Sequence, residues 1–150
     1  MKKILLITAL CASSMLVFAQ NNNYRRYPPS AVQRSWQRDY PDYNMNNNNN
    51  ASWEWQNNRW HTRYLDRDRN KYVDVYYDRS GRRMYVRHDW DANDLPVRVR
   101  ERIRSRYRTN NYSVYRVERP GNGFYFQISL GGNRVIYLDE RGREVRNRYY

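Results

Sequence analysis

Tyrosine and arginine are the residues whose number and spacing in this chain can do chemistry. There are 16 Tyr, and 28 Lys+Arg stand against 15 Asp+Glu, a formal net charge of +13. Several fall at alternating positions in β-like segments: Arg63, Tyr76, Arg83, Tyr85 and Arg87, then Arg116, Tyr125, Tyr137 and Arg146. Both residue types are enriched at protein interfaces, because each joins a large contact area to directed hydrogen bonds. The chemistry such a set predicts is docking of a protein partner. The plain alternative is that Tyr suits strands and Arg keeps an exposed sheet soluble.

Other candidates are weaker. Arg98, Arg100, Arg102, Arg104 and Arg106 crowd one segment, with Glu101 among them. Such a run points to a polyanion, an anionic glycolipid or polysaccharide, or else to a solvated face. No nucleic acid is expected of an exported chain. Asp66, Asp68 and Asn70 resemble the start of a calcium loop, but Lys71 stands where its Gly is required and Tyr77 where its Glu is. His61 and His88 are the only histidines. Their strands predict opposite parity, which argues against a shared metal site or a general base. No metal, cofactor or catalytic residue is expected, and the chain reads as a non-enzyme.

Residues 1–19, MKKILLITALCASSMLVFA, join two lysines to an apolar run and end on small residues at Val17 and Ala19. This is the pattern of a secretory signal peptide, cut before Gln20. It predicts a periplasmic or secreted bacterial protein with no transmembrane segment after cleavage. Cleavage removes Lys2, Lys3 and Cys11, which leaves 26 basic residues against 15 acidic ones and no cysteine. Stability must then rest on burial of aromatic and branched side chains rather than on disulfides.

The elements that position these residues come twice. Pro28–Tyr40 lies over Leu95–Tyr107 at an offset of 67, and Tyr76–Arg82 over Tyr137–Arg143 at 61. Between them Trp53 and Trp55 match Tyr115 and Val117, and Trp60 matches Phe124. This predicts two units, at 28–90 and 94–150. The Asn-rich stretches 20–27 and 43–50 read as a disordered N-terminus and a loop. Val32/Trp36/Tyr40 and Val99/Ile103/Tyr107 recur at helical spacing, with Asp94 as a cap and Pro96 in the first turn. The second segment also alternates, so a strand competes there; Glu101 and Ser105 interrupt that alternation. Period-two segments predict strands at 52–56, 59–65, 72–77 and 82–88, then 113–118, 123–129, 133–138 and 143–149. The turns at 78–81 and 139–142 carry Asp-x-x-Gly.

Alternation sorts the strand residues into two faces. Trp53, Trp55, Trp60, Tyr64, Val73, Val75, Tyr77, Met84 and Val86, with Tyr115, Val117, Phe124, Phe126, Ile128, Ile136, Leu138 and Val145, form the set expected under the helices. The opposite set carries His61, Asp74, Glu118, Gln127 and Arg148 as well as the candidate tyrosines and arginines. With helices on one side only, it is expected to be bare to solvent.

The chain resembles the beta-lactamase-inhibitor-like, PepSY-like family of exported bacterial proteins. The resemblance rests on Leu95–Tyr107, Ser113–Glu118, Gly123–Leu130 and Val135–Glu144, and in the first copy on Ser35–Asp42 and Val75–Arg83. It implies an α+β fold of two tandem units, each a helix packed on a four-stranded antiparallel sheet. It also implies a concave sheet face that grips a partner enzyme, as in the namesake inhibitor. No inhibitory residue carries over by motif. The high Arg content and the Asn runs depart from the family pattern.

Overall fold

A computed structural model describes residues 27–43, 52–121 and 123–146. The expected signal peptide at 1–19, the N-terminal Asn-rich stretch up to 26, most of the 43–50 loop, and Arg148 lie outside the described residues.

The first helix, α1, spans Ser30–Asp39. Four strands follow: β1 (Ser52–Gln56), β2 (Arg59–Asp66), β3 (Lys71–Tyr77) and β4 (Arg83–Trp90). A single 3₁₀ turn at Ala92–Asp94 leads to α2 (Val97–Arg102), which widens into a π-helical turn over Ile103–Tyr107. Then come β5 (Tyr112–Glu118), β6 (Phe124–Leu130) and β7 (Arg134–Leu138). The helical spacing therefore prevails over the competing alternation in the second segment. Its cap differs from expectation. Pro96 stands at the N-cap, and Asp94 lies within the 3₁₀ turn, which Asp91 caps through the Asn93 N–H.

All seven strands form one antiparallel sheet in the order β1 to β7. The strands expected of the two units thus lie edge to edge in a single sheet. Beyond β7, the expected strand at 143–149 is represented by one bridge, Leu138 to Glu144, and 147–150 lie outside the described residues. The halves join through the β4–β5 ladder, from Val86 opposite Glu118 to Trp90 opposite Val114. Residues directly opposite each other share a face. Val86 packs beneath α1, while Trp90 and Val114 pack beneath α2, so both helices cover the same side.

The α1 half has an aromatic core. Trp36 is fully buried, donates its indole N–H to the Tyr43 carbonyl at 2.8 Å, and meets Trp53 and Tyr64 edge-on with centroids 5.6 Å away. The α2 half is filled chiefly by Leu95, Val99, Ile103, Val114, Ile128, Ile136 and Leu138, with Phe126. Each helix is locked by one turn. Gly81 and Gly142 sit at φ +86° and +74°, and a Cβ on either would come within 2.5 Å of the Ala31 carbonyl oxygen or 2.8 Å of that of Arg98. Only glycine suits both the left-handed backbone and the close approach. Asp78 and Asp139 tie the two turns in the same way, each accepting two backbone N–H bonds and a guanidinium bond from the arginine four residues on, and Asp78 also accepts from the Ser80 hydroxyl.

The face assignment needs correcting at seven positions. Met84, Tyr115, Val117 and Val145 belong to a cluster on the side away from the helices. Arg83, Arg116 and Glu118 instead lie on the helix side. The first cause is a bulge: Tyr76 pairs with Tyr85 but Tyr77 with Arg83, so Met84 is an extra residue that reverses the alternation. The guanidinium of Arg83 thus approaches Asp39 of α1 at 3.7 Å. The second cause is that both faces are apolar. Val114, not Tyr115, takes the position beneath α2, and Arg116 follows it, its guanidinium 4.1 Å from the Phe124 ring centroid and 5.4 Å from that of Trp90.

Candidate binding face

The helix-free side of the sheet is organised around one buried carboxylate. Asp74 on β3 is 1% exposed. Strand register sets Arg63 of β2 and Arg87 of β4 directly beside it, one on each flank. Arg63 Nε donates to Asp74 Oδ1 at 2.8 Å and Arg63 Nη2 to Oδ2 at 3.1 Å. Arg87 reaches Oδ2 from Nε at 3.0 Å and from Nη2 at 2.7 Å. His61 Nε2 completes the set, 2.8 Å from Oδ1. Burial by itself pushes the Asp74 carboxyl up, but hydrogen bonds from His61, Arg63 and Arg87 outweigh it. They hold it well below the usual carboxylate range. Its oxygens are engaged by cations, so it serves to fix them and not to accept a substrate proton.

Aromatic rings extend this centre in both directions. His61 stacks on Tyr76 at 4.6 Å, and Tyr76 on Tyr85 at 4.2 Å. Arg59 Nη1 donates to the Tyr85 hydroxyl at 2.8 Å. Arg87 lies over Tyr115 at 4.4 Å, and Arg119 over Tyr125 at 4.3 Å. Tyr125 meets Tyr137 edge-on at 5.7 Å. These contacts correct the expectation of a bare face. Tyr76, Tyr85 and Tyr125 are 8%, 4% and 3% exposed, so the tyrosines form a third packed cluster. The accessible groups on this side stand around it. The Arg63 side chain is 46% exposed, Tyr72 is 50% exposed, and Leu65 is exposed beside Tyr72.

Of the nine positions singled out in the sequence, Arg63, Tyr76, Tyr85, Arg87, Tyr125 and Tyr137 come together on this face. Arg83 and Arg116 do not, and Arg146 is exposed just past the bridge that follows β7. Sequence reasoning missed the central role of Asp74 and the contributions of Arg59, Tyr72, Tyr115 and Arg119. Parity alone hinted at Asp74, a lone acid on β3 with arginines of like parity on β2 and β4, but without the register it did not pair them. His61 and His88 face opposite sides, and among the described residues no group of three or more His, Asp or Glu could hold a metal ion.

No family model matches the chain, and no curated protein matches it. Solved structures do. A protein of Bacteroides eggerthii DSM 20697, described as periplasmic, superposes with a TM-score of 0.67 at 16% identity, over 81% of this chain and 88% of that one. A DUF2874 family protein of Bacteroides ovatus ATCC 8483 gives 0.67 at 18%, over 81% and 86%. A BLIP-like protein of Bacteroides fragilis NCTC 9343 gives 0.60 at 18%, over 81% and 85%. The fold is therefore BLIP-like.

Proposed function

We propose that this is an exported, non-enzymatic binding protein that docks a protein partner of the cell envelope on the helix-free face, as an inhibitor or regulator. The observation that carries the reading is the Asp74 centre. It fixes two guanidinium groups and a stacked His61–Tyr76–Tyr85 column in place before any partner arrives. Side chains already ordered lose little entropy on binding, which favours tight recognition. Arg63 and Tyr72 at the accessible rim make first contact, with Arg87, Tyr76, Tyr85, Tyr125 and Tyr137 behind them. The leader at 1–19 and the periplasmic neighbour support export. The matching Gly81 and Gly142 turns, each pressed against the first turn of a helix, support descent from a duplicated PepSY-like unit.

The test is capture from envelope extract, identification of the captured protein, and calorimetry with that protein purified. R63A and Y72A should each weaken binding about tenfold or more, because interface energy concentrates in such residues. R98A and R104A on α2 should leave it unchanged. A second reading has its own observation: Arg98, Arg100, Arg102, Arg104 and Arg106 are all exposed around α2 and the π-helical turn. That stripe suits an anionic glycolipid or polysaccharide. It predicts the reverse outcome, sensitivity to R98A and R104A and a steep loss of affinity with salt.

A further inference from the structure

We propose a second binding site, for an oxoanion of the phosphate class, in the notch where β4 and β5 part. The ladder between these strands ends at Val86 opposite Glu118. Beyond it the first residues of β4 and the Arg119–Gly123 turn diverge, leaving a cleft of about 310 Å³. Arg83, Arg116 and Arg119 are among the residues that line it, with Glu118 the one acidic residue in the lining.

Each guanidinium is held. Arg116 is paired with Glu118 and lies on the Phe124 ring. Arg83 is anchored towards Asp39 of α1 at 3.7 Å. Arg119 lies on the Tyr125 ring at 4.3 Å. Aromatic faces and single carboxylates position these cations without neutralising them as a group. Like charges gathered in a partly enclosed cleft repel, and a fold that keeps them departs from its own stability rules, as functional sites do. Guanidinium groups offer paired N–H donors that match the oxygens of phosphate, which a point charge does not. At the turn, a Cβ built on Gly121 or Gly123 would meet nothing within 4 Å, so the backbone there borders open space. The notch borders the helix-free face and shares Tyr85 and Arg119 with it, but Asp74, Arg63 and Arg87 are not among its lining residues.

The probe is inorganic phosphate, titrated across the millimolar range and followed by amide chemical shifts and calorimetry, with chloride as control. Saturable shifts confined to Arg83–Val86 and Glu118–Gly123 are expected. R83Q and R119Q should each weaken binding about tenfold, and R119K should fail to restore it fully. Unchanged thermal unfolding in R83Q and R119Q separates lost binding from lost fold. Vesicles of phosphatidylcholine with and without phosphatidylglycerol distinguish the source. Binding to the anionic vesicles that phosphate displaces assigns the group to a lipid headgroup, and binding of phosphate alone assigns it to a soluble ligand. No saturable shift, shifts spread over α2, or an equal loss in R98Q would overturn the proposal.

Discussion

The two halves of the sheet use one lock and two fillings. Gly81 against Ala31 and Gly142 against Arg98 seat the helices in the same way. Between α1 and the sheet lie Trp36, Trp53, Trp60, Tyr64 and Tyr77, and between α2 and the sheet chiefly Val, Ile and Leu. The outer faces differ too. The first half carries the Asp74 ion cluster, and the second carries Tyr125, Tyr137 and Gln127. Helix placement is thus set by backbone geometry at the turn, and the space beneath can be filled by rings or by branched chains.

Removing the central ring should break this comparison most strongly. W36A is expected to cost about 4–5 kcal/mol in denaturant unfolding, against about 3 for I103A, because a larger fully buried group leaves a larger cavity. Equal costs would mean that the aromatic half collapses to fill the space. Next comes D74N, expected to cost about 2–3 kcal/mol, since it leaves Arg63 and Arg87 beside a neutral group, partly relieved by the exposure of Arg63. The sign with pH follows from the depressed carboxyl. Its contribution is complete above the ordinary value of 3.8 and is lost as pH falls towards the native value. The wild-type protein should therefore lose stability more steeply below about pH 4 than D74N, in which Asp78 and Asp139, also held low, still titrate.

The locks should respond alike. G81A and G142A are each expected to cost on the order of 2 kcal/mol, G81A the more because its approach is closer, measured by thermal unfolding. A cost under about 0.5 kcal/mol in either would show that the turn does not hold its helix. The smallest effect belongs to His88, on the shared strand β4. Burial pushes its imidazole below the ordinary 6.5, opposed by Glu118 at 3.6 Å. Stability should decline as pH falls below about 6.5, and H88Q should flatten that decline in stability measurements between pH 7 and 5.

The helices, the seven strands and both Asp-x-x-Gly turns were legible, because helical spacing and period-two alternation report directly on burial. Alternation separates two sets of residues, but it does not say which set is covered. Tyr115 and Val117 look like core and are packed, yet on the outer side. A bulge is invisible to alternation, so Met84 misplaced Arg83. Asp74 was hidden for a different reason: its partners come from two neighbouring strands, and their register depends on hairpin geometry that single-strand patterns do not encode.

The seam between the halves is made of main-chain hydrogen bonds over five consecutive residue pairs, and such bonds are indifferent to which side chains flank them. Either half can accordingly drift in sequence without loosening its hold on the other. A sheet joined in this way tolerates the degree of divergence seen here, where 81% of the chain superposes on a solved structure at 16% identity.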